Sequence, residues 1–282
     1  MGRYPVPDPS LPSRLAEGSG TELKRCLPCR AKHDKCTHQL GKRILVIPDL
    51  QIKPGVPLDH LDWISRYIEA KRPDHVVCIG DAADLPSLSS YDFGKKTFEG
   101  RRLKKDLESV HGGMARLTAF RSKCPGYHPT MDLTLGNHCD RITRAIENDP
   151  KLEGIISLDD LKFEEFGWTV HPFLKVIEIE GIKFAHYFTS GPMGRPVSSA
   201  AVLLRMWGSA VMGHVQSVDL AVHPKSGEIA MFVGTCYLQD EHYLGYQGNS
   251  CRRQIVMLNE AREGIYDPMF ISLRYLRNRY GK

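Results

Sequence analysis

The chain has 282 residues, enough to bury a full hydrophobic core as one large α/β domain or as one domain with a small appendage. Hydrophobic residues make up 41% and charged residues 25%, as in ordinary globular proteins. No apolar run is long enough to cross a bilayer, and residues 1–20 lack the apolar core of a secretory signal. We therefore expect a cytoplasmic protein without a membrane partner, and the net charge of +5 permits a polyanionic one.

Composition divides the chain into three parts. Residues 1–21 are rich in proline, glycine and serine and lack periodicity, which predicts a disordered arm. Residues 22–40 contain a group of cysteines and histidines. From residue 41 to residue 282, short apolar runs alternate with helical patterns, which predicts a single folded domain.

The first half of this domain alternates strands with helices. Buried strands are predicted at 43–49, 75–81 and 131–137, where the chain reads RILVIPD, HVVCIGD and MDLTLGN. An amphipathic helix is predicted at 58–74, stopped by Pro73, and another helix at about 98–121. This alternation favours parallel strands joined by right-handed crossovers.

The second half is rich in strands. A hairpin is predicted over 174–188 with its turn at Glu180-Gly181, and a strand over 209–214. Two more hairpins are predicted over 218–235 and 253–273. The basic residues after position 273, like the other basic clusters, are interpreted as solvated helix faces and a soluble tail. Mixed α/β structure followed by β-rich structure indicates two packed sheets flanked by helices.

Polar residues follow five of the predicted strands. They are Asp49 and Gln51 after the first strand, Asp81 and Asp84 after the second, Asn137 and His138 after the third, His186 after KFA, and His214 and Gln216 after AVM. In open α/β sheets ligands gather at the carboxyl ends of strands, so these segments can converge on one crevice. Carboxylate, amide and imidazole ligands together suit a divalent transition metal or Mg²⁺. The sequence therefore predicts a metal centre.

Taken in order, these segments resemble the signature D-x-(H), GD-x-x-D, GNH, H and GH-x-(H) of calcineurin-like metallophosphoesterases, spread over residues 43 to about 236. The resemblance implies an α/β fold in which two mixed sheets and outer helices form a four-layer α/β/β/α sandwich. It also implies two metal ions bridged by Asp81. The remaining ligands would be Asn137, His186 and His214 for one ion, and Asp49, Gln51 and Gln216 for the other.

The resemblance further implies a catalytic pair. His138 resembles the family histidine that contacts the phosphate and protonates the leaving oxygen. Asp84 resembles the carboxylate that holds this histidine. The implied reaction is hydrolysis by a metal-activated water with His138 as general acid.

Two glutamines depart from the family pattern. Gln51 and Gln216 stand where the family usually has histidine, and both belong to the same ion. Their amide oxygens are harder ligands than imidazole, which shifts preference toward Mn²⁺ first, with Mg²⁺, Ni²⁺ or Zn²⁺ next. The alternative is that this first site is partly occupied or empty and that a single ion does the work.

The predicted substrate is a phosphodiester, with nucleic acid or nucleotides as the favoured class. Asp84 is followed by Leu85-Pro86, so the arginine with which the family's phosphoprotein phosphatases grip a monoester is missing. Residues 87–106 are similar to stretches in bacteriophage-encoded members, which would place the protein in the host cytoplasm. Basic clusters favour a nucleic-acid partner. The alternatives are a phosphomonoesterase or protein phosphatase, or a degenerate, non-catalytic metal-binding scaffold.

Three further side chains each have two possible roles. Tyr91 and Phe93 can stack on a base or belong to the core, and Arg141 can bind a substrate phosphate or pair with a surface carboxylate.

The cysteine segment has the spacing of a thiolate pair. Cys26 and Cys29 form a C-x-x-C unit, Cys36 would be a third zinc ligand, and His33 or His38 a fourth. The alternative is a set of reduced thiols on a loop.

Overall fold

A computed structural model describes residues 41–241 and 251–281. The chain divides into the units Met1–Leu40 and Gly41–Lys282, and the structure described below belongs to the second. The predicted arm at residues 1–21 and the predicted zinc segment at residues 22–40 lie outside the described residues, together with Cys26, Cys29, His33, Cys36 and His38.

The described residues form strands and helices in alternation, followed by a strand-rich half. The strands are β1 (Lys42–Ile47), β2 (His75–Cys78), β3 (Thr130–Thr134), β4 (Thr169–His171), β5 (Ile177–Ile179), β6 (Ile182–Ala185), β7 (Thr189–Ser190), β8 (Arg195–Pro196), β9 (Ala210–Met212), β10 (Val218–Val222), β11 (Ile229–Val233), β12 (Gln254–Arg262) and β13 (Ile265–Ser272). The α-helices are α1 (Asp59–Lys71), α2 (Leu103–Leu117), α3 (Phe120–Lys123), α4 (Arg141–Asn148), α5 (Ala200–Trp207) and α6 (Leu273–Tyr280).

Two mixed sheets organise these strands. The first has the order β13-β12-β1-β2-β3-β4, with β1 to β4 parallel and β12 and β13 antiparallel to their neighbours. The second has the order β10-β11-β9-β6-β5, where β6, β9 and β11 are parallel and the two edge strands close hairpins. Strands β7 and β8 form a separate ribbon. The predicted α/β class with two mixed sheets and helices is confirmed.

Both faces of β1 are buried because successive side chains of a strand point to opposite faces. Leu45 and Ile47 join an apolar cluster that includes residues of α1 and α2. Ile44 and Val46 join a second cluster that contains residues of β6, β9 and β11 from the other sheet. Each such side chain stabilises the fold by about 1.5–3 kcal/mol. The carboxyl end of β1, where Asp49 follows, is therefore anchored on both sides.

Helices α5 and α6 were not predicted from the sequence, and the helix predicted at 98–121 is divided into α2 and α3. Helix α5 is a short apolar segment, which periodicity alone does not distinguish from a buried strand. Its N-cap is Ser199, whose side chain accepts a hydrogen bond from Val202 N. Helix α6 buries Leu273 and Leu276, whereas its basic residues Arg274, Arg277 and Arg279 are exposed, so these residues are solvated as interpreted and lie on the face of a helix.

Within the described part of the chain, each helix is too short or too polar to traverse a bilayer.

Candidate metal centre

Four of the predicted ligands follow strands in a left-handed backbone conformation. The φ angles are 44° for Gln51, 44° for Asp81, 64° for His214 and 60° for Gln216. Such conformations cost non-glycine residues about 1 kcal/mol or more each, and they persist where the surrounding structure fixes them. One such restraint joins two of these loops, since Gln51 N donates a hydrogen bond to Asp81 O at 2.8 Å.

The side chains after β2, β6 and β9 converge. Asp81, His186 and His214 each offer a ligand atom, and these atoms lie within 4.8 Å of one another. His186 Nε2 lies 3.2 Å from Asp81 Oδ2. Asn137 Oδ1 lies 2.9 Å from His186 Nε2 and 2.9 Å from His214 Nδ1. One carboxylate, one amide and two imidazoles, predicted as the ligands of one ion, therefore surround a common point and could bind a metal ion.

The ligand set predicted for the other ion contains buried polar atoms without protein partners. Gln51 is 1% exposed, and within the described residues neither its Oε1 nor its Nε2 has a hydrogen-bond partner. Asp49 Oδ1 accepts a hydrogen bond from His214 N at 3.2 Å, while its Oδ2 has no partner there. Gln216 Oε1 accepts a hydrogen bond from Tyr237 Oη at 3.2 Å. Leaving such groups unsatisfied costs about 1–3 kcal/mol each, so these donor atoms fit a bound cation.

Three glycines bring backbone directly against the ligands. A β-carbon at Gly80 would collide with the His186 ring, one at Gly136 with Asp81 Oδ1, and one at Gly213 with Asp49 Oδ1. Gly80 also has a φ of 94°, which only glycine adopts readily. The spacing of glycine before Asp81, Asn137 and His214 in the sequence thus follows from a steric requirement of the site.

The charges at the site are strongly coupled. Burial alone would raise the pKa of Asp81, but the imidazoles of His186 and His138 hold it below its usual range. Burial alone would lower the pKa of His186, but Asp81 and Asp49 raise it to about 9. Burial and the neighbouring His186 lower the pKa of His214 to about 4, and burial raises the pKa of Asp49 to about 6. A cation would favour the ionised carboxylates and the neutral imidazoles that metal ligation requires.

His138 and Asp84 form the pair that the sequence predicted. His138 Nδ1 lies 2.6 Å from Asp84 Oδ1, and His138 Nε2 lies 3.8 Å from Asp81 Oδ2. Burial alone would lower the pKa of His138, but the carboxylates of Asp81 and Asp84 raise it. Burial likewise would raise the pKa of Asp84, whereas its bond to His138 and the nearby cations lower it. The pair therefore favours a protonated imidazole beside the candidate metal ligands.

The sequence analysis missed Lys53 and Glu241, of which Lys53 binds Asp84 directly and Glu241 binds Lys53. Lys53 Nζ lies 2.9 Å from Asp84 Oδ2 and 2.6 Å from Glu241 Oε1, in a largely buried bridge. Lys53 could have been noticed because it follows Gln51 by two residues, whereas no motif marks Glu241. Arg141 Nη1 donates to the Asp84 backbone oxygen at 2.6 Å and to its Oδ1 at 3.1 Å. The carboxylate that pairs with Arg141 is thus buried, and a contact between Arg141 and substrate stays a prediction.

Tyr91 and Phe93 are 80% and 79% exposed, so assigning them to the core is wrong. Cys139, by contrast, is fully buried in the helix-facing core and packs there as an apolar residue.

The chain is similar to proteins of two mycobacterial phages. It is 42% identical over 69 residues to the Gene 54 protein of Mycobacterium phage L5, covering 24% of this chain and 27% of that protein. It is 34% identical over 146 residues to the Gene 54 protein of Mycobacterium phage D29, covering 49% of this chain and 54% of that protein. The chain thus spans from about a quarter to about half of these curated relatives. These relatives support the prediction of a bacteriophage origin.

No protein-family model matches the chain. One solved structure aligns with 82% of this chain and 99% of its own, at 13% identity and a TM-score of 0.32.

Proposed function

We propose that this chain is a metal-dependent phosphodiesterase of the calcineurin-like metallophosphoesterase superfamily, acting on nucleic acid or nucleotides in the host cytoplasm. The observation that carries the proposal is the convergence of Asp81, His186 and His214 around the amide oxygen of Asn137. These residues come from four separate strand ends, and each has the ligand type that the family signature requires at that place.

We also propose that the fold is the four-layer α/β/β/α sandwich of that superfamily. The two mixed sheets share one apolar cluster, which supports face-to-face packing of the sheets. A cluster on the other face of the first sheet contains residues of α1 and α2, and a cluster of the second sheet contains residues of α5. Helices on both outer faces would complete the four layers.

One ion would be held by Asn137, His186 and His214, and the other by Asp49, Gln51 and Gln216. Asp81 would bind both ions. When bound, such ions polarise the phosphoryl group and lower the pKa of water so that it can attack in line. The amide oxygens of the two glutamines favour Mn²⁺, followed by Mg²⁺, Ni²⁺ or Zn²⁺. The unpartnered amide of Gln51 supports occupation of its site and argues against a single ion.

His138 is the proton donor in this proposal. Asp84 occupies its Nδ1, which leaves Nε2 to donate to the departing oxygen of the substrate. Lys53 and Arg141 hold Asp84 from two sides and so fix the imidazole. A protonated, oriented imidazole beside the ligands is what departure of a poor leaving group needs.

Preference for a diester is supported by the residue after Asp84. Leu85 is fully buried, and its backbone oxygen accepts from Arg141 at 3.3 Å. Position 85 therefore offers no cation to the second negative charge that a phosphomonoester carries and a phosphodiester lacks.

The test combines metal analysis with turnover. The full chain would be loaded with Mn²⁺, Mg²⁺, Ni²⁺ or Zn²⁺ and offered bis-p-nitrophenyl phosphate, p-nitrophenyl phosphate and a phosphopeptide. We expect bound metal and fastest turnover of the diester. Preference for the phosphopeptide would favour the protein-phosphatase alternative, and bound metal without any turnover would favour a scaffold.

The variant Asp81→Asn should lose turnover and weaken metal binding, because one bridging carboxylate oxygen is replaced by an amide nitrogen. Its matched control is Asp132→Asn, a buried carboxylate on β3 that pairs with His171 and with none of the proposed ligands among the described residues. Full activity in Asp81→Asn, or equal losses in both variants, would reject the assignment of Asp81.

A further inference from the structure

A basic segment with two exposed aromatic rings follows Asp84 in the chain. We call it the 91–105 surface, and its members are Tyr91, Phe93, Lys95, Lys96, Arg102, Lys104 and Lys105. The rings of Tyr91 and Phe93 are 80% and 79% exposed, so they gain little from the core. Exposed rings beside basic residues are the combination on which single-stranded nucleic acids stack their bases.

The backbone that carries the two rings is braced. Arg101 Nη1 donates to the Pro86 backbone oxygen at 2.9 Å and to Asp92 Oδ2 at 2.8 Å, which closes the segment into a loop. Phe93 meets the edge of Phe98 with their centroids 5.9 Å apart, and the Arg101 guanidinium lies over the Phe98 ring. The rings are thus presented on an ordered loop, which reduces the entropy lost when a ligand binds.

The charge of this segment is strongly positive. Between Tyr91 and Lys105 there are six basic and two acidic residues, whereas the whole chain has 38 basic and 33 acidic residues. Asp92, one of the two acids, is already paired with Arg101 and Lys95. Among the described residues, no carboxylate pairs with Lys96, Arg102, Lys104 or Lys105. The segment therefore has cations available for a polyanion.

We propose that the 91–105 surface binds single-stranded nucleic acid, with bases stacked on Tyr91 and Phe93 and phosphates held by Lys96, Arg102, Lys104 and Lys105. Unpaired bases expose the flat faces that such rings accept, whereas a duplex keeps them stacked. An acidic peptide would use the cations but has no need of two exposed rings. The inference rests on the proposed function and specifies its substrate class.

The position of the surface suits delivery of a strand to the centre. Tyr91 follows Asp84 by seven residues, so their α-carbons lie at most about 25 Å apart. Pro86, to which Arg101 is bonded, follows Asp84 by two residues. Strands of about 4–16 nucleotides, the usual site sizes of stacking platforms, cover such a distance.

The experiment measures binding of the full chain to a fluorescein-labelled oligothymidylate in EDTA by fluorescence anisotropy. A Tyr91→Ala/Phe93→Ala double variant should bind at least about tenfold more weakly, the usual loss for stacked bases. The control is Ile155→Ala/Met193→Ala, which removes two other exposed apolar side chains, 71% and 72% exposed, and should bind like the wild type. An oligouridylate arm separates DNA from RNA as the preferred strand.

An abasic oligonucleotide of equal length separates stacking from charge. The wild type should prefer the base-containing strand, and the aromatic double variant should lose that preference. A Lys104→Ala/Lys105→Ala variant should weaken binding to both strands and reduce the slope of log affinity against log salt by about 1.4, as expected for two phosphate contacts to a single strand.

Wild-type affinity in the aromatic double variant, equal affinity of the wild type for abasic and base-containing strands, or no binding to any strand would overturn the proposal. The double variant should hydrolyse bis-p-nitrophenyl phosphate at the wild-type rate, because that small diester does not need the surface. If the wild type does not hydrolyse bis-p-nitrophenyl phosphate, the proposed phosphodiesterase function is rejected. The proposal that the 91–105 surface binds single strands would still stand, provided that binding is observed in EDTA.

Discussion

Gly136 is the position at which the smallest change should do the most damage to the proposed site. A β-carbon there would meet both the Oδ1 and the backbone nitrogen of Asp81. Asp81 has little room to yield, because His138 N donates to its Oδ1 at 2.9 Å and Gln51 N donates to its backbone oxygen at 2.8 Å. Gly136→Ala should therefore displace the Asp81 carboxylate, which is proposed to bridge the ions, and with it the backbone anchor of His138.

The magnitude follows from overpacking of a rigid site, which costs about 1–3 kcal/mol. For a domain of about 240 residues each kcal/mol lowers Tm by about 2–4 °C, so Tm should fall by about 2–12 °C. Metal affinity should fall by about 10–100-fold, as when a ligand loses its support. Differential scanning fluorimetry gives the first quantity and metal analysis after equilibrium dialysis gives the second.

The matched control is Gly112→Ala in helix α2, where a β-carbon meets nothing within 4 Å. It should raise stability by about 0.5–1 kcal/mol, because alanine favours helix over glycine. Metal content should not change in the control. Normal Tm and normal metal content in Gly136→Ala would refute the claim that this glycine exists to admit Asp81.

Three further predictions concern other residues. His138→Ala should keep its metal yet lower kcat about 10²–10⁴-fold on an alkyl diester, with a smaller loss on bis-p-nitrophenyl phosphate, whose leaving group needs no proton; equal losses on both would deny the proton-donor role. Lys53→Met should lower kcat more than it changes KM, because Asp84 loses the cation that lies 2.9 Å from it. The loss should show the same dependence on the leaving group and should be partly rescued in Lys53→Arg. A change in KM alone would contradict this positioning role. Burial and the nearby Arg116 lower the pKa of His60 from 6.5 to about 4, so between these pH values the unfolded chain binds a proton that the folded chain does not, and the free energy of unfolding falls as the pH drops from about 6.5 to 4. In His60→Leu, denaturant titrations should show that about 3 kcal/mol of this loss is gone. The same loss of stability with falling pH in the variant as in the wild type would refute this prediction.

The part of the fold that could be predicted from the sequence is the part with local signals. Strand β1 is an apolar run that ends before Asp49, and the hairpin of β5 and β6 turns at Glu180 and Gly181, both of which adopt positive φ. The candidate metal ligands were visible because each follows a strand, and glycine directly precedes three of them, Asp81, Asn137 and His214. These features are encoded within a few positions of the chain.

The features that escaped prediction depend on distant contacts. Lys53 and Glu241 are separated by 188 positions, and nothing near either residue indicates the other. Helix α6 has a basic sequence, but it packs against α1, and Leu273 and Leu276 are buried in the same apolar cluster as residues of that helix. The pairing of Arg141 with Asp84 likewise depends on the meeting of the β2 and β3 ends. Tertiary contacts determine where these residues lie and what they bind, and the periodicity of the sequence does not reveal those contacts.

The left-handed loops at Gln51, Asp81, His214 and Gln216 also bear on how the apoprotein behaves. Backbone hydrogen bonds and buried strands fix these loops, so a chelator that removes an ion from the proposed centre should leave the candidate ligands in the same arrangement. Uptake of a cation then requires no ordering of the chain, in contrast to small zinc modules that fold only when they are loaded. Rebinding of the metal should be fast, and the metal affinity should depend on the donor atoms alone, because no free energy is needed to fold the chain around the ion.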